Sequence, residues 1–347
     1  MRVQLIGEAN GGGLSRDLTL LDSALRACGC EVSVRPCGRP DRKRRRSTLL
    51  QWRVRARLRC GRGERRSAAG GAGRRGAPFD VNVMLEHVWP QFLREARSNV
   101  VVPNPEWFDA RDLRYLEACD CVWAKTAFAA GLFRERGCAT SLIGFDSEDR
   151  AETGVGRVHQ FLHVAGRSPL KGTARLLALW QRHPEWPTLT LVQDASMPGA
   201  VPRERAAAPN VALHADYLSD TALRQMQNAH RFHVCTSEAE GWGHYIAEAM
   251  SVGAVTLTCD AAPMNELIAP GRGLPVAAQP GAVHNLVRLS LFDEAALVAA
   301  VERALALPDS ELESIGTAAR GWFLQNKAGF AARLGQAMSR LEPGAVH

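Results

Sequence analysis

Short apolar runs rich in β-favouring residues alternate with stretches of helical periodicity along almost the whole chain. In the first half, RVQLIG, CEVSVRPC, FDVNVMLE, SNVVVPN, CDCVWAK and TSLIGF predict strands, and Leu14–Ala27, Asp109–Ala118 and Thr126–Arg136 predict helices. The polar stretch DSEDRAETGVGRV interrupts this pattern at 146–158, and the alternation then restarts with HQFLHVAG and TARLLALWQRH. Because a helical crossover joins parallel strands, the sequence predicts two doubly wound, Rossmann-like α/β domains.

The 347 residues and the 46% hydrophobic content are sufficient for two packed cores. We place the first domain at 1–150 and the second at 151–310, followed by helices in 311–347. Ligands of open α/β sheets bind at the carboxyl ends of the strands. Two such domains in tandem are therefore expected to face each other across a ligand-binding cleft.

Several protein classes do not fit the composition. No apolar run approaches the roughly 18 residues of a membrane span, and MRVQLIG reads as a first strand, too short for the core of a signal peptide. The nine cysteines include no C-x-x-C pair and no Cys/His cluster at zinc spacing. We expect a cytoplasmic protein with reduced thiols.

The formal net charge of +7 is concentrated in one segment. Residues 35–75 hold 16 Lys or Arg against two acidic residues, so the rest of the chain is net negative. This Arg-rich insert, 35–77, alternates apolar residues with arginines in QWRVRARLR and ends in a glycine-rich stretch. It is either a solvated loop or a surface that attracts polyanions, such as an anionic membrane on the cytoplasmic side.

The stretch CTSEAEGWGHYIAEAMSVGAVTLTCD places Glu240 and Glu248 eight positions apart, with Gly241 and Gly243 between them. The glycines predict a loop that carries Glu240, followed by a helix that carries Glu248. A helix that starts at the end of a strand offers N–H groups and a positive dipole end to an anion. Taken singly, each glutamate could equally be an ordinary surface carboxylate.

The motifs VAGRSPLKGT, SEAEGWGHYIAEAM and APMNELI, in this order and at these separations, resemble the C-terminal domain of glycosyltransferase family 4. These group 1 glycosyl transferases are retaining enzymes of the GT-B fold. The resemblance implies that the second domain binds a sugar nucleotide and the first binds the acceptor. It also implies that the C-terminal helices, about 310–340, pack back on the first domain.

The resemblance assigns four side chains to the donor. Arg167 and Lys171 would contact the diphosphate, Glu240 the sugar hydroxyls and Glu248 the ribose. These roles agree with the chemistry, since cations stabilise a departing diphosphate and carboxylates accept hydrogen bonds from hydroxyls. Arg167 and Lys171 are closer in sequence than is common in the family, which leaves the phosphate geometry open.

Backbone N–H groups at two glycine-rich turns are further candidates for phosphate contacts. One turn leads into the helix at Gly243, His244 and Tyr245, and the other contains Gly12 and Gly13, for which a tight turn is the alternative explanation. No D-x-D dipeptide occurs in the chain, which argues against the metal-dependent GT-A class. We therefore expect neither a metal site nor a cofactor.

The acceptor side is predicted from the ends of strands in the first domain. The third strand ends in MLEHV and the fourth in VPNPEW, so Glu86, His87, Asn104 and Glu106 are expected to reach the cleft. A histidine near this point often contacts the transferred sugar in related enzymes. His87 is therefore the catalytic candidate beside Glu240, with a structural role as the alternative. Lys125 has a similar position but also fits a surface lysine at a helix start.

Three functions remain in competition. The first is a metal-independent transferase that moves a sugar from a nucleotide sugar to a glycan, lipid or other hydroxyl acceptor. The second is a catalytically silent GT-B protein that binds a nucleotide or glycan. The third is a nucleic-acid-binding protein that acts through its arginines, although no base-reading motif accompanies them and specific recognition is not expected.

Overall fold

The chain divides into two compact units, Met1–Phe145 together with residues from Ala328 onward, and Asp146–Lys327. The units divide after Phe145 and after Lys327, whereas the sequence predicted boundaries at 150/151 and 310/311. The computed structural model describes residues 1–9, 11, 13–37, 76–197, 199–216 and 218–342.

The first unit is built on a six-stranded parallel sheet in the order β2-β1-β3-β4-β5-β6. Helix α1 (Gly13–Ala27) follows the first strand and α2 (Ala127–Arg134) follows the fifth. The strands are β1 (Arg2–Glu8), β2 (Glu31–Cys37), β3 (Phe79–Leu85), β4 (Ala96–Val102), β5 (Cys121–Ala124) and β6 (Thr140–Leu142).

Local sequence explains where these elements form and where one prediction failed. Helix α1 buries Leu18, Leu21 and Leu25 at helical spacing against the sheet. The helix predicted over 109–118 is instead a 3₁₀ helix, Leu113–Ala118, preceded by turns. The Asp109 carboxylate accepts a hydrogen bond from the backbone N–H of Arg111 at 2.8 Å, and this local bond favours a turn over an α-helical start.

The second unit contains another six-stranded parallel sheet, in the order β12-β11-β10-β7-β8-β9. Its strands are β7 (Val158–Gly166), β8 (Leu189–Gln193), β9 (Val211–His214), β10 (His230–Cys235), β11 (Val255–Cys259) and β12 (Leu274–Val276). Its helices are α3 (Thr173–Gln181), α4 (Asp220–Ala229), α5 (His244–Ser251), α6 (Met264–Leu267) and α7 (Glu294–Ala306).

Two further elements complete the described chain. An antiparallel hairpin, β13 (Ala278–His284) and β14 (Val287–Phe292), follows the second sheet and was not predicted. The last helix, α8 (Asp309–Ser339), is continuous for 31 residues, and the division between the units falls within it. In the first unit, the Phe330 ring of α8 lies 5.3 Å from the Phe145 ring.

The two sheets confirm the predicted α/β class with two doubly wound parallel sheets. In each sheet, the strand order reverses at one point, between β1 and β3 in the first and between β7 and β10 in the second. Loops diverge at such a switch point and leave a crevice at the carboxyl ends of the strands. The fold therefore directs attention to the loops that follow these four strands.

The Arg-rich insert falls almost entirely outside the described residues. Arg35–Cys37 complete β2, and 38–75 are not described. Across the described residues, no helix combines the length and apolarity needed to cross a membrane. The predicted docking of 35–75 on anionic lipid stays a prediction.

Candidate functional site

Two loops meet at the switch point of the second sheet. Residues 167–172 follow β7, and residues 236–243 follow β10. The Thr236 hydroxyl donates to the Lys171 carbonyl at 2.9 Å, and the Glu238 N–H donates to the Leu170 carbonyl at 2.9 Å. Gly172 has φ +67°, and a Cβ there would lie 2.6 Å from the Thr236 carbonyl oxygen. Only glycine permits this approach of the two loops.

A salt bridge between Lys171 and Glu240 joins the same two loops. The two side chains are 12% and 11% exposed, so the pair is largely shielded but open at one edge. The Lys171 ammonium also lies 3.8 Å from the centre of the Tyr245 ring, a cation–π contact. The structure thus brings together three predicted site residues.

A chain of hydroxyl groups fixes the Glu240 carboxylate from the other side. Ser237 donates to Glu240, and the Tyr245 phenol lies 2.5 Å from the same serine oxygen. Since the serine proton is used on Glu240, the Tyr245 proton points to Ser237. Burial raises the pKa of Tyr245, so the phenol keeps this proton. Glu240 is held in one orientation before any ligand arrives.

Helix α5 begins at the edge of this pair. Gly243, its N-cap, has φ +100° and supplies no side-chain hydrogen bond to the first turn. The N–H groups at the start of an α-helix have no partners within the helix. The His244 imidazole Nδ1 lies 2.9 Å from the Ser147 hydroxyl, which also accepts a hydrogen bond from the Trp242 indole at 3.0 Å.

Glu248 occupies a separate, buried position. The residue is 3% exposed, and its carboxylate accepts a hydrogen bond from the Gln227 amide at 3.0 Å. The amide oxygen of Gln227 accepts one from the Arg150 guanidinium at 2.9 Å, and Arg150 also pairs with Asp220 at 2.6 Å. The predicted ribose-binding glutamate is therefore part of an internal polar network with Gln227 and Arg150.

Arg167 is more exposed than Lys171. Its side chain is 54% exposed and lies 3.4 Å from the Asp194 carboxylate, which is also partly exposed. A cavity of about 100 Å³ lies beside this loop and does not include Lys171, Glu240 or Gly243. Its lining includes Gly166, Ser168, Gly172, Arg175, Asp194 and Glu238.

The acceptor-side candidates lie at the switch point of the first sheet. The His87 imidazole lies 2.9 Å from the Asp112 carboxylate, and the two side chains are 17% and 4% exposed. Glu86 precedes His87, directly after β3, with φ +60° and an exposed fraction of 8%. Burial raises the Glu86 pKa to about 7, although the nearby charges of His87 and Lys125 oppose this shift.

Lys125 has a structural environment. Its side chain is 2% exposed and forms a salt bridge with Asp17 of α1 at 2.5 Å. It also donates to the Asn104 amide oxygen at 2.9 Å and lies 4.4 Å from the centre of the Phe145 ring. This lysine is neither on the surface nor available to a ligand without breaking a buried ion pair.

The structure gives little support for a ligand-binding role of the remaining predicted residues. Gly13 begins α1, and a Cβ there would meet no atom within 4 Å, so packing does not require glycine. Gly12 lies outside the described residues. Glu106 is 4% exposed and therefore buried. Within the described part of the chain, no group of three His, Cys, Asp or Glu side chains could hold a metal ion, and metal independence stays a prediction.

Sequence reasoning missed the side chains that hold the site in place. Ser237 and the Tyr245 ring orient the Lys171–Glu240 pair, and Ser147 contacts His244. Ser237 lies only three residues before Glu240, but it bonds the glutamate side chain within a loop and so does not follow the capping pattern of a helix start. Ser147 gave no local signal, since it lies almost a hundred residues from its partner.

Comparison with solved structures identifies proteins of similar fold. Sucrose-phosphate synthase from Thermosynechococcus elongatus is 16% identical, with a TM-score of 0.66 and coverage of 98% of each chain. HepE of Anabaena, solved in complex with UDP, is 15% identical, with a TM-score of 0.65 and coverage of 98% of this chain and 100% of that one. A glycosyltransferase from Rickettsia africae is 12% identical, with a TM-score of 0.65 and coverage of 99% of both chains.

These neighbours are GT-B glycosyltransferases, and at such identities the likeness shows the fold. This protein has the GT-B fold. No protein-family model matches the sequence, and no curated protein matches it. Membership of glycosyltransferase family 4 specifically stays a prediction.

Proposed function

We propose that this protein is a glycosyltransferase that moves a sugar from a nucleoside-diphosphate sugar to a hydroxyl acceptor with retention of anomeric configuration. The observation that carries the proposal is the Lys171–Glu240 pair beside the uncapped start of α5, at the switch point of the second sheet. The UDP in the structure of the similar HepE supports a nucleoside diphosphate as the ligand.

The proposed reaction depends on charge. As the bond between the anomeric carbon and the diphosphate breaks, negative charge collects on the phosphate oxygens. Lys171 and the N–H groups of Gly243, His244 and Tyr245 would stabilise this charge, with Arg167 as a more exposed cation at the rim. Because these groups supply positive charge, we propose that transfer requires no metal ion.

Glu240 suits the sugar end of the donor. Its carboxylate is held by Lys171 and Ser237 and remains partly exposed, so it can accept hydrogen bonds from sugar hydroxyls. When a phosphate binds near Lys171, the lysine ammonium would share its hydrogen bonds between that phosphate and the Glu240 carboxylate. The fixed serine bond keeps Glu240 oriented during that change.

Glu248 is proposed as the ribose ligand, in agreement with the family motif. The buried hydrogen bond to Gln227 requires that a ribose hydroxyl approach the remaining carboxylate lone pairs. Glu248→Ala should weaken UDP binding by about 1.5–3 kcal/mol, as expected for a hydrogen bond to a charged group. Unchanged UDP affinity would restrict Glu248 to its internal network with Gln227 and Arg150.

A thermal-shift screen with UDP, GDP, ADP and their sugars tests the proposed function directly. A ligand that binds only the folded state raises the melting temperature, so at least one nucleotide should stabilise the wild type and stabilise Lys171→Met less. Arg182→Met, which removes a surface cation paired with Glu294, is the matched control. Donor turnover in excess EDTA tests metal independence, and NMR of the product anomer tests retention.

A silent GT-B binding protein is the second candidate. It shares the prediction that a nucleotide stabilises the fold, and it differs in turnover. Stabilisation by a nucleotide sugar without hydrolysis of the donor or transfer to any hydroxyl compound would favour it.

A further inference from the structure

Glu86 is the central residue of a strained turn at the switch point of the first sheet. Its own N–H donates to the Val102 carbonyl at 2.9 Å and so continues the pairing of β3 with β4. The next N–H, that of His87, donates back to the Leu85 carbonyl at 2.7 Å across Glu86. A bond over one residue with φ +60° is the rare, strained form of the γ-turn.

A side chain is costly in this conformation, which glycine adopts readily. Apart from Glu86, only Asn285 among the described non-glycine residues has positive φ, and Asn285 lies in a hairpin turn. Asparagine tolerates such turns much better than glutamate does. Strain of this kind persists where the surrounding structure enforces it, commonly at ligand sites.

The Glu86 carboxyl group is largely shielded and forms no hydrogen bond within the described part of the chain. The residue is 8% exposed, and its oxygens are not fully enclosed, so a ligand can still reach them. Buried carboxylates are normally paired, because loss of hydration without compensation is unfavourable. Burial accordingly raises the Glu86 pKa to about 7. Strain and a missing partner together indicate a group kept for a ligand.

The charges around Glu86 indicate the class of that ligand. His87 and Lys125 favour its ionised form, whereas Glu8 and Asp17 oppose it. His87 and Lys125 are already paired with Asp112 and Asp17, so little positive charge remains for an anion. An acidic group placed here would be repelled, whereas a neutral hydroxyl can donate to the carboxylate.

We propose that the Glu86 carboxylate binds a hydroxyl group of a neutral sugar acceptor. The inference rests on the proposed glycosyltransferase function and names the acceptor chemistry that it requires. Glu86 orients the acceptor and discriminates against acidic acceptors. His87, held by Asp112, lies next to it in the same turn.

The test observes Glu86 directly. Protein labelled with carbon-13 at the glutamate side-chain carboxyl is titrated with D-glucose, D-mannose, D-galactose and N-acetyl-D-glucosamine, and the Glu86 signal is assigned by its loss in Glu86→Gln. At least one sugar should shift this signal, with no comparable shift from D-glucuronate. Transfer from the donor to that sugar should fall roughly 10- to 100-fold in kcat/KM in Glu86→Gln, with the KM for the donor unchanged.

The pH profile separates binding from a structural role. The ionised carboxylate is the form that accepts the hydroxyl protons, so kcat/KM for the sugar should rise with pH through about 7 in the wild type. This limb should disappear in Glu86→Gln. Glu135→Gln, the same change at an exposed residue after α2, is the matched control.

Glu86→Gly keeps the test valid if Glu86→Gln folds poorly. Glycine fits the turn without strain, so this variant should melt at or above the wild-type temperature and still lose the sugar-dependent activity. Retained transfer in either variant, or a Glu86 signal that no sugar shifts, would overturn the proposal. The sugar titration needs no donor, whereas failure of every nucleotide to raise the melting temperature would reject the proposed transferase function instead.

Discussion

The two switch points use different residues to form sharp turns. At the second sheet, the positive-φ positions beside the site are glycines, Gly166, Gly172 and Gly243. At the first sheet, the turn after β3 has Glu86 in the same region of backbone space. Glycine lets the loops approach one another and leaves ligand contacts to neighbouring side chains. A glutamate at such a position retains strain together with a carboxylate, which indicates that the side chain itself is needed.

The ion pairs differ in the same way. Lys125 and Asp17 are 2% and 4% exposed, whereas Lys171 and Glu240 are 12% and 11% exposed. A pair removed from water contributes to the integrity of the fold, because either charge alone would be stranded. In a pair with an exposed edge, the charged groups can also form hydrogen bonds with a ligand. Matched substitutions at the two pairs should therefore have opposite main effects.

The largest effect is expected from Lys125→Met. It leaves the Asp17 carboxylate buried beside an apolar side chain and should lower the free energy of unfolding by about 3–5 kcal/mol. Urea denaturation measures this change, and Asp17→Leu in the same chain should restore much of it. A loss below about 1 kcal/mol would show that the pair is hydrated and that the contrast with Lys171 is not real.

The next effect concerns the raised pKa of Glu86. Its folded-state pKa of about 7 lies above the unfolded value near 4.5, so the folded state binds more protons between these pH values. Wild-type stability contributed by this group is present below about pH 4.5 and is lost as pH rises through 7. The stability of Glu86→Gln relative to the wild type should therefore grow by about 3 kcal/mol from pH 4.5 to pH 8.

Denaturation of both proteins across this pH range checks the sign as well as the size. A difference that stays constant with pH would mean that Glu86 is ionised and hydrated in the folded protein. In that case, burial would not destabilise the charged form of Glu86, and the contrast between the two switch points would rest on backbone conformation alone.

The third prediction concerns ligand affinity at the second site. Lys171→Met should weaken UDP binding by about 1.5–3 kcal/mol, because the diphosphate loses a charge-assisted bond to a shielded ammonium group. Arg167→Met should cost less than about 1 kcal/mol, since its exposed guanidinium is screened by water. Calorimetric titration ranks the two variants. Equal losses would place the diphosphate at the rim of the loop rather than beside Glu240.

The sequence predicted the sheets better than the details of either site. Strands such as FDVNVML are continuous apolar runs, and the alternation with helices specifies parallel order. The glycines beside Glu240 predicted a strand, a loop and then a helix, and β10, the loop after it and α5 follow that order. The donor roles of Lys171 and Glu240 stay predictions. Burial was not predictable, because Glu248 is enclosed by Gln227 and Arg150 from distant segments.

Some local features also escaped prediction. Lys125 was expected on the surface or in the cleft, yet α1 supplies a buried partner more than a hundred residues earlier. Glu86 was expected only to reach the cleft, and nothing in MLEHV indicates a γ-turn. Such features depend on tertiary contacts that fix a side chain against its local preference.

The smallest effect is expected from Ser147→Ala and contrasts the histidines of the two sites. His87 faces a carboxylate, whereas His244 faces the Ser147 hydroxyl. The Trp242 indole can only donate, so it occupies one lone pair of Ser147 and leaves the hydroxyl proton available for Nδ1 of His244. We predict that Ser147 donates this proton to Nδ1, which would hold the proton of a neutral His244 on Nε2, next to the start of α5. Ser147→Ala removes the constraint and should lower UDP affinity by about 0.5–1.5 kcal/mol.

Nitrogen-15 NMR of the histidines should show the Nε2–H tautomer of His244 in the wild type and a mixture in Ser147→Ala. Ser339→Ala, which removes an exposed hydroxyl bonded to the Gln336 carbonyl far from this site in sequence, is the matched control and should change neither. An unchanged tautomer with reduced affinity would assign the effect to the Trp242 indole rather than to the histidine.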